Sequence, residues 1–168
     1  GKMMAQKFQH QAVDVVAAPA IGGTILSQWT AYYLSKLKGK EIFSVYTEKD
    51  KGTTASAAES EHIFRRGYDQ YIKGKKVLVV EDLTTTGGSV KKVVDTVRQN
   101  CGKVIGGCVM VIRDPIGVTS KTFGAPLTVL GVLKADAFDE ADCPLCKTNV
   151  PINTDVGHGK AFLEQQTK

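Results

Sequence analysis

No apolar run in this chain approaches the length of a membrane span, and no basic-then-apolar leader opens it. Both absences set the expectation of a cytoplasmic protein with no membrane partner. Cysteine is scarce: of four, only Cys143 and Cys146 lie close together, unlike the dense pattern of a secreted disulfide framework. There is no internal repeat and no long cationic block. Lysine and arginine exceed the acids by 22 to 17, but the excess is spread over short pairs such as Arg65 with Arg66, Lys75 with Lys76 and Lys91 with Lys92. A net charge of +5 in that form suits an anionic small molecule, and specific nucleic-acid binding is not expected. What remains is an ordinary globular composition, 42% hydrophobic and 23% charged over 168 residues, enough for a real core.

The richest stretch is residues 76–89, KVLVVEDLTTTGGS. Four apolar β-formers run into Glu81 and Asp82, a Thr/Gly loop follows, and helical spacing starts at Val90. A continuous apolar run reads as a buried strand of a parallel sheet. A loop between such a strand and a helix amino terminus is where α/β folds hold phosphate. Thr84, Thr85, Thr86 and Ser89 offer hydroxyls, while Gly87 and Gly88 let backbone N–H groups approach an anion. Two acids ahead of such a cradle suit a polyol, a metal or both. The implied ligand is a sugar phosphate with neighbouring hydroxyls.

The rest of the chain alternates strands and helices. Residues 13–18, 41–46, 77–80, 103–112 and 127–133 read as strands, and 24–37 and 90–100 as helices, with 4–12 ending a further helix. This predicts an α/β fold, a doubly wound and mainly parallel sheet over residues 1–134, with an irregular segment over 135–168. Three other places carry chemistry. Residues 17–23, AAPAIGG, form the first strand-to-helix turn, where Ile21, Gly22 and Gly23 can present N–H groups to an anion; a plain turn fits the same residues. Residues 47–74 are long and polar, and the small-residue stretch 52–60 has the composition of a lid. Lys49, Lys51, Arg65 and Arg66 flank it as cations for a leaving group, and His62 reads as a surface residue. Arg113 follows the strand 103–112, where its guanidinium can grip an acidic base; a salt bridge to Asp114 or another acid fits the spacing equally.

The segment 76–89 resembles the phosphoribosyl-diphosphate (PRPP) signature of the type I phosphoribosyltransferases, and the likeness extends over residues 13–159, with the orotate phosphoribosyltransferases as the nearest branch. The resemblance implies transfer of ribose 5-phosphate from PRPP to a pyrimidine base, orotate favoured, with release of pyrophosphate. Another base, or a PRPP-sensing regulator without turnover, remains the alternative. On it, Glu81 and Asp82 serve the ribose hydroxyls, and Thr85, Thr86, Gly87, Gly88 and Ser89 hold the 5′-phosphate. Ala20, Ile21, Gly22, Gly23 and Lys49 meet the diphosphate, and Thr85 and Arg113 meet the base. Mg²⁺ enters with PRPP near Glu81 and Asp82. Two departures stand out: Thr84 replaces an aliphatic residue, and Glu48 replaces an arginine. The resemblance also implies a homodimer. Only residues 1–12 precede the first core strand, fewer than orotate enzymes usually carry, so the base pocket is expected to draw on the tail or a partner chain. Cys143 and Cys146 form half of a structural zinc site. Cys101, Cys108 and His158 are the residues that would complete it, and zinc stays secondary to a structural role for the tail.

Overall fold

The computed structural model describes residues 1–50, 61–136, 138, 141–157 and 159–166. They fall into two compact units, Gly1–Ala135 and Asp136–Lys168. The first holds a six-stranded sheet in the order β3-β2-β1-β4-β5-β6, with β1 Val15–Pro19, β2 Phe43–Lys49, β3 His62–Ile63, β4 Lys76–Thr84, β5 Lys103–Ile112 and β6 Leu127–Val132. All neighbours are parallel except the β2–β3 pair.

The central strands explain their own sequences. Alternate side chains leave opposite faces of a strand, so a strand covered on both faces must be apolar throughout. In β1 and β4, Val15, Ala17, Val77 and Val79 enter one core, while Val16, Ala18, Leu78 and Val80 enter the other. The first core is closed by α3 (Gly88–Gln99), whose Val90, Val93, Val94 and Val97 repeat at helical spacing. The second is closed by Met4 and Ala5 of α1 (Lys2–Lys7) and by Ala31 and Leu34 of α2 (Gly22–Lys38). α2 stops at Gly39, a left-handed residue at φ 60° that only glycine adopts without strain, with Lys36 and Lys38 in its last turn. Gly107 on β5 is needed for packing: a Cβ there would lie 1.9 Å from Cζ of Phe123, the fully buried residue that ends α4 (Ser120–Phe123).

The expected doubly wound sheet is present, and β5 has the predicted bounds. Several elements differ: the first helix ends at Lys7 and not at residue 12, β2 runs on to Lys49, and α4 is not among the expected helices. β4 runs four residues past Val80, through both acids to Thr84, because Glu81, Leu83 and Thr84 pair with Val109, Val111 and Ile112 of β5. The polar stretch 47–74 contains β3 and a 3₁₀ turn, Tyr68–Tyr71. Glu48 and Lys49 pair with Ile63 and His62, and the Asp50 N–H donates to the Glu61 carbonyl at 2.9 Å. Lys51 and the stretch 52–60 lie outside the described residues, as does His158.

The second unit carries α5 (Pro144–Lys147) and α6 (Gly159–Gln166). No described helix of either unit is long and apolar enough to cross a membrane.

Candidate active site at the carboxyl edge of the sheet

Parallel strands bring their carboxyl ends to one edge, and there the loops after β1, β4 and β5 meet. The turn after β1 is pressed against the acids of β4. A Cβ at Gly22 would lie 2.3 Å from Asp82 Oδ2, and one at Gly23 would lie 3.1 Å from Glu81 Oε1. No side chain larger than hydrogen fits at Gly22 without displacing the carboxylate. The Ala20–Ile21 peptide is cis, and the Ala20 N–H donates to the Thr47 carbonyl at 2.8 Å.

Glu81 is only 5% exposed, while Asp82 is half-buried. Their backbone holds the pair in place: the Asp82 N–H donates to Glu81 Oε1 at 3.1 Å, and the Leu83 N–H to Asp82 Oδ1 at 2.6 Å. Burial first, then the adjacent Asp82 carboxyl, pushes the Glu81 carboxyl up to about 8. A carboxyl raised on folding contributes its stability below the unfolded value of 4.5 and loses it as pH climbs to about 8. The ligand-free protein should therefore lose thermal stability across that window, by at most ~1.4 kcal/mol per pH unit from this group. In a melting series from pH 4.5 to 9, Glu81→Gln should flatten the fall. Parallel curves for the two proteins would show that Glu81 ionises without penalty.

The loop from Thr85 to Ser89 follows directly and ends in the amino terminus of α3. Gly87 caps that helix at φ 80°, a left-handed backbone. Thr86, Gly88 and Ser89 are exposed, and the Gly88 N–H donates to Thr86 Oγ1 at 3.4 Å. Thr84 turns out to have a structural job that its sequence position did not announce. It is buried, and its Oγ1 accepts the Gly87 N–H at 2.9 Å, closing the loop on itself. The signal was present in a threonine three residues before a glycine, a side-chain turn that competes with regular structure.

Arg113 lies at the end of β5, where its N–H donates to the Thr84 carbonyl at 3.0 Å. The alternative of a salt bridge to Asp114 does not form. Asp114 instead accepts the N–H groups of Ile116 and Gly117 at 3.0 and 2.9 Å, and Arg113 Nη2 donates to the Ala135 carbonyl at 3.3 Å. The guanidinium thus stands at the same edge as the acids and the Thr85–Ser89 loop.

Three expectations need correction. His62 is not a surface residue: it is 3% exposed, with Nδ1 2.9 Å from Thr47 Oγ1. Burial, with Lys92 and Lys49 nearby, holds its imidazole below the ordinary value, so it is neutral at neutral pH. Arg65 and Arg66 are not loose lid cations either, because ion pairs tie them to Asp50 and Glu48, each at 3.1 Å. Cys108 is fully buried in a core and is no surface ligand. Among the described residues no group of three His, Cys, Asp or Glu side chains converges to hold a metal. Within the second unit, the Cys143 thiol is lowered mainly by the Cys146 N–H it accepts.

A cleft of about 650 Å³ between α2 and the start of β2, lined by Gln28, Tyr32, Lys36 and Ile42 among others, contains none of the site residues. It opens beside Gly39 and Lys40, where β2 begins, away from the carboxyl edge that carries the acids.

Comparison with known proteins gives the family of the chain. Residues 1–132 match the model of the phosphoribosyl transferase domain family. The chain is 36% identical to an orotate phosphoribosyltransferase of Caldanaerobacter subterraneus, over 89% of this chain and 69% of that protein. It is 37% identical to one of Thermotoga maritima, over 90% and 71%. Among solved structures it resembles an adenine phosphoribosyltransferase of Thermoanaerobacter pseudethanolicus (TM-score 0.59, 19% identity, 79% and 77% covered). It also resembles an orotate phosphoribosyltransferase of Aeropyrum pernix (TM-score 0.55, 21% identity, 79% and 69% covered). At those identities the structures speak for the fold alone.

Proposed function

Because the chain belongs to the phosphoribosyltransferase family, with relatives named orotate phosphoribosyltransferase, we propose that it transfers ribose 5-phosphate from PRPP to orotate and releases pyrophosphate. The observation that carries this reading is the close approach of Gly22 and Gly23 to Asp82 and Glu81, beside the loop from Thr85 to Ser89. Such an edge has separate places for a diphosphate, a diol and a terminal phosphate.

In this reading Asp82 and Glu81 accept hydrogen bonds from the ribose 2′- and 3′-hydroxyls and place positive charge developing at C1′ next to carboxylate. The N–H groups and hydroxyls of Thr85, Thr86, Gly88 and Ser89 hold the 5′-phosphate at the amino end of α3, while Gly87 shapes the turn. The turn of Ala20, Ile21, Gly22 and Gly23 meets the diphosphate through the N–H groups of Ile21, Gly22 and Gly23, while the Ala20 N–H is held by the Thr47 carbonyl, with Lys49 as the nearby cation. Arg113 pairs with the orotate carboxylate, and Thr85 lies beside the base. The ring nitrogen, its proton given up to solvent, then bonds to C1′ as the bond to the diphosphate oxygen breaks, and positioning supplies most of the acceleration.

The oxygen-rich, hard donor set of Glu81 and Asp82 fits Mg²⁺ brought in by PRPP. When bound, that ion supplies charge neutralisation for the leaving diphosphate. A cytoplasmic homodimer completes the proposal. α2 turns Ile25, Trp29 and Tyr32 to solvent, respectively 65%, 50% and 46% exposed, an apolar stripe on the side away from the core. Light scattering should give the mass of two chains.

The decisive experiment supplies Mg²⁺, PRPP and one base at a time and measures pyrophosphate release. Orotate should release it and adenine, guanine and uracil should not. Arg113→Ala should raise the KM for orotate by about tenfold or more while the KM for PRPP stays within about twofold, since truncating a desolvated charge pair costs about 2 kcal/mol or more. Equal losses for both substrates would remove Arg113 from base recognition. A PRPP-binding regulator is the second reading, favoured by the ion pairs that occupy Arg65 and Arg66. It requires saturable PRPP binding by calorimetry with no pyrophosphate from any base.

A further inference from the structure

We infer that His62 is a positioning residue for the diphosphate turn, acting through Thr47 and anchored from α3 by Thr96; its kinetic consequence rests on the PRPP reading above.

His62 lies on β3 opposite Lys49, on the short antiparallel strand that edges the sheet. Its ring is buried and its Nδ1 is 2.9 Å from Thr47 Oγ1. Thr47 is itself fully buried, and its carbonyl is the acceptor for the Ala20 N–H at 2.8 Å. Ala20 opens the turn whose next residues stand against Asp82 and Glu81. On the other side, Thr96 Oγ1 approaches the His62 carbonyl at 2.7 Å and the Lys92 carbonyl at 2.8 Å. Thr96 belongs to α3, the helix that begins at the phosphate loop. One residue therefore joins the end of β2, the start of the diphosphate turn and the phosphate-loop helix.

The chemistry suits a spacer and not a proton carrier. A buried polar group must be satisfied, and a neutral imidazole with one nitrogen on a threonine hydroxyl fixes both side chains at once. Among the described residues, Lys49 and Lys92 are the charged groups that act on the ring, and both oppose its protonation. The described contact of the ring is with Thr47 Oγ1, so its effect passes through Thr47 to the backbone of the turn.

The test uses His62→Leu, His62→Gln and Thr47→Val in the full chain. Hydrogen exchange of the free protein comes first, because it needs no substrate. The Ala20 amide should exchange at least about tenfold faster in His62→Leu and Thr47→Val, with the amides of Val16 and Ala17 unchanged. His62→Gln, which keeps a hydrogen-bonding group, should recover part of the protection. Kinetics follow: His62→Leu should raise the KM for PRPP about tenfold with kcat within about threefold and the KM for orotate unchanged. The His62→Leu, Thr47→Val double variant should lose no more than the worse single one. An unchanged Ala20 amide in a folded variant overturns the positioning role. So does a uniform rise in exchange across the sheet, which would mark general loosening. An inactive wild type would sink the transferase reading, and the exchange result would still decide the role of His62.

Discussion

Asp82→Asn should lower kcat/KM for PRPP by about 100-fold or more, with a melting temperature within a few degrees of wild type. The two halves follow from different features. Asparagine keeps the Oδ1 acceptor that takes the Leu83 N–H, and Asp82 is only half-buried, so folding loses little. In the proposed reaction the carboxylate charge disappears from the place where charge at C1′ is balanced, and removing one preorganised electrostatic group costs about 100-fold to 1,000-fold in rate. Pyrophosphate release under Mg²⁺ and PRPP, run beside a thermal melt, checks both halves. An active Asp82→Asn protein would take the acid pair out of the mechanism. An unfolded one would make the residue structural.

Gly22→Ala should be nearly as damaging, for a steric reason. The added methyl would lie 2.3 Å from Asp82 Oδ2 and 2.8 Å from its Cγ, so either the turn or the carboxylate must move. A shift of about 1 Å in a site of this kind costs on the order of 100-fold in rate. Gly39→Ala makes a useful contrast. It faces open space and should affect stability through its left-handed backbone with activity unchanged. Equal activity losses in the two variants would mean that contact with Asp82 is not what requires glycine at position 22.

The parts of this fold that sequence displays are those set by burial on both faces. The apolar runs of β1, β4 and β5 and the valine stripe of α3 each announce a buried element, and the Gly-rich stretches between them announce the turns at the carboxyl edge. β3 was hidden because two residues carry no periodicity, and its existence depends on pairing with Glu48 and Lys49. His62 was hidden for the same reason: a lone histidine in a polar stretch looks solvated, and the groups that bury it, Thr47 and Thr96, lie 15 and 34 positions away. The extension of β4 through Glu81 and Asp82 ran against local preference, since acids are poor strand formers. Cross-strand pairing with β5 overrode that preference.

That extension also fixes when the acids are put in place. Loop carboxylates would be ordered only as substrate arrives, and the entropy of ordering them would weaken binding. Here the backbone of Glu81 is clamped by Val109, and that of Leu83 by Val111, as soon as the sheet forms. The cost of burying one acid beside another is met in the folding reaction, where Glu81 keeps its proton up to about pH 8, so the encounter with a ligand starts from a pair of carboxyl groups already in place.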